Sequence, residues 1–146
     1  MKYLIVAHPD DEILWFKPEN YDRIIIVFSG RADRPGFGDN RTKALAEHPL
    51  KDKIECLNLT ESNFWRDASK YPEHLENYEK VCKFLKEIEP ESVDTHNANG
   101  EYGHADHILV RNAVYDTVDC PVNGQDPKLY RAIKEVYERN NVWTWT

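Results

Sequence analysis

Long apolar runs are missing from this chain. The longest, residues 3–7 and 24–28, are five residues each, against roughly 20 for a helix that crosses a bilayer. Met1-Lys2 leads straight into the first of them, so no secretory leader is read there. The expectation is a cytoplasmic protein with no integral membrane segment. Cysteines are few: Cys56, Cys82 and Cys120 are odd in number and lack CxxC spacing. That excludes a disulfide framework and a thiolate metal site, and the three read as reduced thiols. Positive charge is short as well. Lys and Arg total 19 against 26 Asp and Glu, a net charge of −7. A general binder of nucleic acid or of anionic membranes needs the opposite sign. Internal repeats and low-complexity tracts are absent too. What is there, 146 residues of which 40% are hydrophobic and 31% charged, fits one domain over residues 1–146 with a real core.

Strand and helix signals alternate along this domain. Residues 2–7 read as a strand. A short helix capped by Asp10 or Asp11 runs to Phe16 and is ended by Pro18. Residues 23–29 form a second strand, whose unbroken apolar run marks burial on both faces of a parallel sheet. A loop over 30–41 precedes a short helix over 42–48, and residues 54–59 are a third strand. The clearest helix spans 74–89, with Leu75, Tyr78, Val81, Cys82, Leu85 and Ile88 on one stripe. Residues 92–97 are a fourth strand and 97–103 a loop. A helix then runs from His104 or Ala105 to Val118. Residues 120–127 read as a connector, 129–138 as either helix or strand, and the tail 142–146 alternates like a strand. The alternation implies a doubly wound, mostly parallel α/β sheet of order 3-2-1-4, with a C-terminal strand beside strand 4. Strands 1 and 4 then flank the switch point, where such sheets open a crevice at their carboxyl edge.

The loops after those two strands carry the chemistry. His8, Asp10, Asp11 and Glu12 put an imidazole and three carboxylates on one turn, a donor set common in hydrolytic metal sites. One turn cannot close a site, and Gly103-His-Ala-Asp-His107 is the second source. His104 and His107, three apart on a first helical turn, share a face. Together with His8 and Asp11 they offer enough ligands for a three-ligand site with an open position, which brings the pKa of bound water to roughly 7. Asp10 could take a proton from that water as it attacks a carbonyl. The remaining His would polarise the carbonyl oxygen or protonate the leaving amine. Spacing alone does not give Asp10 and Asp11 different roles. Without the second motif, the acids at 10–12 read as a helix N-terminal cluster; the two motifs together favour a site.

Ala7-His-Pro-Asp-Asp-Glu12, followed downstream by Gly103-His-Ala-Asp-His107, resembles the LmbE-like (PIG-L) N-acetylglucosaminyl deacetylases. These are zinc-dependent enzymes that remove acetyl from N-acetylglucosamine-containing conjugates. The first motif matches in full; the second carries Ala105 where the family has Pro. The resemblance implies a Rossmann-like three-layer α/β/α fold. It also implies His8, Asp11 and His107 as ligands of Zn2+, with Fe2+ or another divalent ion as an alternative. Asp10 would be the general base, His104 an electrophile or acid, Tyr102 a holder of the oxyanion, and Asp106 a support for an imidazole. Two departures concern the substrate. Ile13-Leu-Trp-Phe-Lys-Pro18 stands where the family continues Gly-rich, and Arg41-Thr-Lys-Ala44 lacks the Glu of its Arg-x-x-Glu pattern. The chain is also short for the family, so substrate-binding insertions are expected to be absent.

Other residues admit two readings. Arg31, Arg34 and Arg41 bind a phosphate or sugar hydroxyls, or form a solvated loop. Glu12 is a helix-start acid or a ligand, and His48 and His74 are solvated at helix ends. His96, at the end of strand 4, is a buried, hydrogen-bonded imidazole or a ligand. Trp15 and Trp65 border the pocket or pack in the core. Trp143 and Trp145 pack against the body or a second subunit, or stack on a sugar, so a homo-oligomer is compatible. The expected activity is de-N-acetylation of a small amino-sugar conjugate. The rivals are a non-catalytic metal- or sugar-binding relative and a hydrolase of another small amide.

Overall fold

The computed structural model describes residues 1–124 and 127–141. Its elements run β1 (Lys2–Val6), α1 (Asp11–Leu14), β2 (Arg23–Arg31), α2 (Phe37–Ala46), β3 (Ile54–Glu61), α3 (Tyr71–Leu85), β4 (Ser92–Thr95), α4 (Gly100–Gly103), α5 (Ala105–Thr117), β5 (Val122–Gly124) and α6 (Pro127–Arg139). The strands form one parallel sheet of order β3-β2-β1-β4-β5. This is the α/β architecture and strand order expected from the sequence.

Alternation along β1 and β2 explains why both read as unbroken apolar runs. Successive side chains point to opposite faces, so a strand covered on both sides must be apolar throughout. Leu4, Val6, Ile24 and Ile26 pack on one face with Phe16, Tyr21, Leu45 and Leu50. Ile5, Ala7, Ile25 and Val27 pack on the other with Val81 and Leu85 of α3 and Leu109, Val110, Ala113 and Val114 of α5. The sheet thus lies between α2 on one side and the pair α3 and α5 on the other.

Several boundaries differ from the sequence reading: β2 and β3 each end two residues later than expected, α3 spans Tyr71–Leu85 against an expected 74–89, and a short helix, α4, lies in the loop over 97–103. Residues 120–127, expected as a connector, contain β5, which pairs Val122, Asn123 and Gly124 with Val93, Asp94 and Thr95. Asn and Gly are poor strand formers, and backbone pairing to β4 overrides them. The fifth strand therefore comes from this segment; the tail 142–146, with Trp143 and Trp145, lies outside the described residues. Residues 129–138, open to two readings, fall within helix α6. Helix α2 starts at Phe37, well before residue 42, behind Gly36 at φ 88. Its first turn lies so close to β2 that a Cβ on Gly38 would sit 3.2 Å from Gly30 Cα and 3.3 Å from the Ser29 carbonyl.

Candidate active site

Parallel pairing of β1 with β4 brings the two motif-bearing loops side by side at the carboxyl edge. His8 and Asp11 arrive from the first, Glu101, His104, Asp106 and His107 from the second. Backbone strain gathers here. Among the described residues, five non-glycine positions have positive φ: Asp10, Asn58, Asn63, Glu101 and Asn141. Asn and Asp tolerate the left-handed region, but Asp10 at φ 96, ψ −24 lies outside its usual range and Glu101 at φ 62, ψ −60 is neither residue type; both stand in these loops. Such conformations cost about 1–3 kcal/mol each and persist where surrounding contacts hold them, commonly at functional sites.

The predicted ligands converge. Asp11 Oδ2 lies 3.3 Å from His8 Nδ1 and 3.2 Å from His107 Nε2, and it accepts the His8 backbone N–H at 2.8 Å. These three side chains form one of the clusters able to hold a cation. Ligand atoms at the corners of a tetrahedron with bonds of about 2.0–2.1 Å are about 3.3 Å apart, so the spacing fits an ion of zinc size. The His107 ring is fully buried and neither of its nitrogens has hydrogen-bond geometry to a partner. An orphaned Nε2 beside the Asp11 carboxylate suits a cation better than a hydrogen bond.

Charge points the same way. Asp11, Glu61, Glu101 and Asp106 are each at most 4% exposed. Glu61 has Arg41 at 2.8 Å and Arg31 at 3.9 Å. Among the described residues, the ion-pair contacts of Asp11, Glu101 and Asp106 are all to imidazoles. Buried carboxylates without fixed cations are costly. Burial lowers the proton affinity of His8, but bonds to Asp106, Asp11 and Glu61 overcome it and hold its pKa well above the usual value. Asp11 answers in reverse: burial raises its pKa, and contacts with His107 and His8 pull it well below the carboxylate range. The unliganded cluster therefore recruits protons, which a metal ion can replace.

The other predicted residues fall around this cluster. Asp10 occupies the N-cap position of α1, and its side chain makes no cap hydrogen bond. It lines the same 170 Å³ cavity as His8, Asp11, Tyr102 and His104. Loss of water around the carboxylate, and then the Asp11 charge, raise its pKa to about 6. His104 caps α5, its Nδ1 accepting the Asp106 N–H at 3.1 Å. A neutral ring with Nδ1 as acceptor carries its proton on Nε2. Burial, then the His8 and His107 charges, lower its pKa to about 3. Burial and the carboxylates of Asp11 and Asp10 push Tyr102 up to about 12. Asp106 Oδ2 lies 3.1 Å from His8 Nε2.

Of the three arginines, Arg31 and Arg41 line the cavity, but both are already engaged. Arg41 donates to Glu61 and to the Ser29 carbonyl and stacks on Phe37. Arg31 forks onto Asp33. Arg34 is exposed, near the Phe37 ring. Trp15 borders the cavity, and Trp65 borders an adjoining 340 Å³ pocket with Arg31, Arg66 and His104. A larger pocket of 700 Å³ shares Asp10 and Arg41 with the cavity and is lined by apolar side chains including Ile13, Phe37 and Leu45. His48 and His74 are not simply solvated. His48 Nε2 is 3.3 Å from Glu12 Oε1, and His74 stacks on Phe64 4.9 Å away. Glu12 itself is buried and accepts the Asp10 N–H at 2.9 Å.

Two carboxylates escaped the sequence reading. Glu61 ends β3, two residues beyond the expected strand end, and its Oε1 is 3.1 Å from His8 Nε2. An acid at the carboxyl end of a strand next to β2 is the signal that extending the strand would have exposed. Glu101 lies in the segment read as a loop. Nothing in local spacing separates it from an exposed loop acid.

Residues 3–118 match the family model described as PIG-L: GlcNAc-PI de-N-acetylase. Among curated proteins, the 1D-myo-inositol 2-acetamido-2-deoxy-alpha-D-glucopyranoside deacetylase 1 of Frankia casuarinae is 29% identical over 96 residues, covering 63% of this chain and 25% of the relative. The chain therefore spans about a quarter of that relative's length. Among the described residues, no helix is long and apolar enough to cross a bilayer.

Proposed function

The chain belongs to the PIG-L (GlcNAc-PI de-N-acetylase) family, and from that premise we propose that it is a metal-dependent amide hydrolase. Its substrate is an N-acetyl amino sugar of the N-acetylglucosamine type, carried on a small conjugate. The observation that carries this reading is the meeting of Asp11 Oδ2 with His8 Nδ1 and His107 Nε2, at 3.3 and 3.2 Å, beside an uncapped Asp10 carboxylate. His8, Asp11 and His107 would hold the ion; their two nitrogens and one oxygen suit Zn2+ and also Fe2+. When bound, such an ion supplies Lewis-acid polarisation and acidifies water near neutral pH.

The chain's own groups do the rest. Asp10 accepts a proton from the attacking water as the water oxygen bonds to the amide carbon. The Nε2–H of His104, a ring held neutral, donates to the oxygen on which negative charge develops, and the Tyr102 hydroxyl donates from the same wall. Tyr102 keeps its proton because its pKa is pushed up. The proton on Asp10 then passes to the leaving nitrogen as the carbon–nitrogen bond breaks, giving acetate and a free amine. A group with a pKa of about 6 suits both halves of that transfer. Asp106 holds the His8 ring by its Nε2 edge. The test is release of acetate and amine from N-acetylglucosamine conjugates by metal-loaded protein. Loss of turnover with retained metal in Asp10→Asn supports the reading; unchanged turnover refutes the base.

A further inference from the structure

We propose that Glu101 is a positioning residue: with His96 it fixes His107 in the tautomer whose Nε2 lone pair faces Asp11. This goes beyond the reading above in assigning two buried residues, and it rests on that reading for His107 as a ligand. The argument starts from a group whose role is not negotiable. A backbone N–H can only donate. The Ala7 N–H donates to His96 Nε2 at 3.0 Å, so that nitrogen is an acceptor and neutral His96 carries its proton on Nδ1. His96 Nδ1 meets Glu101 Oε1, and it donates there.

The same Oε1 lies 3.4 Å from His107 Nδ1. The two imidazoles stack with centroids 4.0 Å apart and planes 12° from parallel, so both Nδ1 atoms face one carboxylate oxygen. An acceptor there favours the proton on His107 Nδ1. Nε2 is then left bare on the side where Asp11 Oδ2 sits 3.2 Å away. Carboxylates commonly hold metal-binding histidines by this edge. The backbone is bent to put Glu101 in place. Gly100 at φ +59 lets the loop lie against α5, where a Cβ would come within 2.9 Å of Ile108 Cγ1 and 3.2 Å of His107 Cβ. Glu101 follows at φ 62, ψ −60, a γ-turn conformation rare for residues with side chains. Asn97 pins the turn, its Oδ1 accepting the Glu101 N–H at 2.9 Å and its own N–H reaching Glu101 Oε2 at 3.3 Å.

The experiment reads protons and metal, not turnover. Long-range 1H–15N spectra of the zinc-loaded wild-type protein should place the proton on Nδ1 in both His96 and His107. A proton on Nε2 of either ring overturns the proposal. In parallel, zinc affinity is measured by competition with a chromogenic chelator. Glu101→Gln keeps the volume but supplies a weak, neutral acceptor, and should bind zinc about 10–100-fold more weakly. Affinity equal to wild type overturns the proposal. Should the variant fail to fold, the wild-type spectra decide alone. If the wild type takes up no zinc, the ligand reading of His107 fails, while the His96 tautomer still decides the Glu101 contact.

Discussion

Asp10→Asn separates chemistry from architecture more cleanly than any other single change in this site. Residue 10 is held through its backbone: its N–H reaches Glu12 Oε2 at 2.9 Å, and its carbonyl accepts from Ile13 and Leu14, each at 3.1 Å. Asn keeps all three. It also meets the φ of 96 at about the same cost, since Asn and Asp share the tendency to populate positive φ. The Asp10 carboxylate already sits beside Asp11, whose charge raises its pKa after burial has done so. Removing one negative charge relieves that repulsion, so the variant should be at least as stable as the wild type near neutral pH. An amide, however, cannot accept the proton. Loss of a positioned general base costs typically about 10²–10⁴-fold, or about 2.7–5.4 kcal/mol of transition-state stabilisation at 1.36 kcal/mol per decade. The assay combines amine release, bound metal per chain and the thermal midpoint. Expected is a loss in kcat of that size with metal content unchanged and a midpoint no lower than that of the wild type. Turnover within about threefold of wild type would remove Asp10 from the mechanism. Loss of metal would instead make Asp10 a ligand and refute the division of roles with Asp11.

Other outcomes follow from particular contacts. Zinc at about 100 times its Kd should stabilise the fold by about 2.7 kcal/mol, a rise of roughly 5–11 °C in Tm for a chain of this size; His107→Ala should show no rise, and a full rise in it rejects the ligand. Arg41→Ala leaves the buried Glu61 carboxylate without its 2.8 Å partner but with Arg31 at 3.9 Å and His8 at 3.1 Å, and should cost about 1–3 kcal/mol, read as a lower urea midpoint. A change confined to KM would contradict that structural role. Tyr21 donates to Asp94 Oδ2 at 2.6 Å; burial, then that bond, raise its pKa above the ordinary tyrosine value. A raised pKa means that this contribution is complete below about pH 10 and is lost as pH climbs through the folded-state value, so wild-type stability should fall in alkali more steeply than that of Tyr21→Phe. Ala105 opens α5, and His104 before it has φ −69, ψ 124, which a following proline permits. Ala105→Pro should therefore stabilise by about 0.4–1 kcal/mol through the unfolded state; a fall in Tm would show that the Ala105 N–H is needed.

Legibility in the sequence followed the range of the interactions. The sheet order could be read because β1 and β2 are apolar on both faces, a local signal of burial. The meeting of His8 with His107 could be read because parallel sheets put loop chemistry at one edge. What could not be read depended on partners distant in sequence. Val122–Gly124 is a strand only because β4 offers it a ladder. Arg41 reads as a free basic group until Glu61 appears at 2.8 Å, twenty residues away. His48 looks like a helix-end imidazole until Glu12 is seen beside it. Glu101 is hidden for a further reason: its backbone conformation is one that sequence rules assign to glycine.

The placement of strain and charge is best understood as one arrangement. A buried acid is tolerated when something positive or hydrogen-bonding meets it. Glu61 has two arginines, whereas Asp11, Glu101 and Asp106 have imidazoles, whose charge depends on protons. The protein therefore keeps, at the open end of its sheet, a cluster whose neutrality is adjustable. Held together by protons it is folded but costly; holding a divalent ion it would release those protons and gain stability. The two strained non-glycine residues, Asp10 and Glu101, stand on either side of that cluster, one carrying a free carboxylate toward the cavity and the other a shared carboxylate behind His107. Relaxing either backbone would move a carboxylate out of reach, which is why a conformation that local energetics disfavours is retained at both positions.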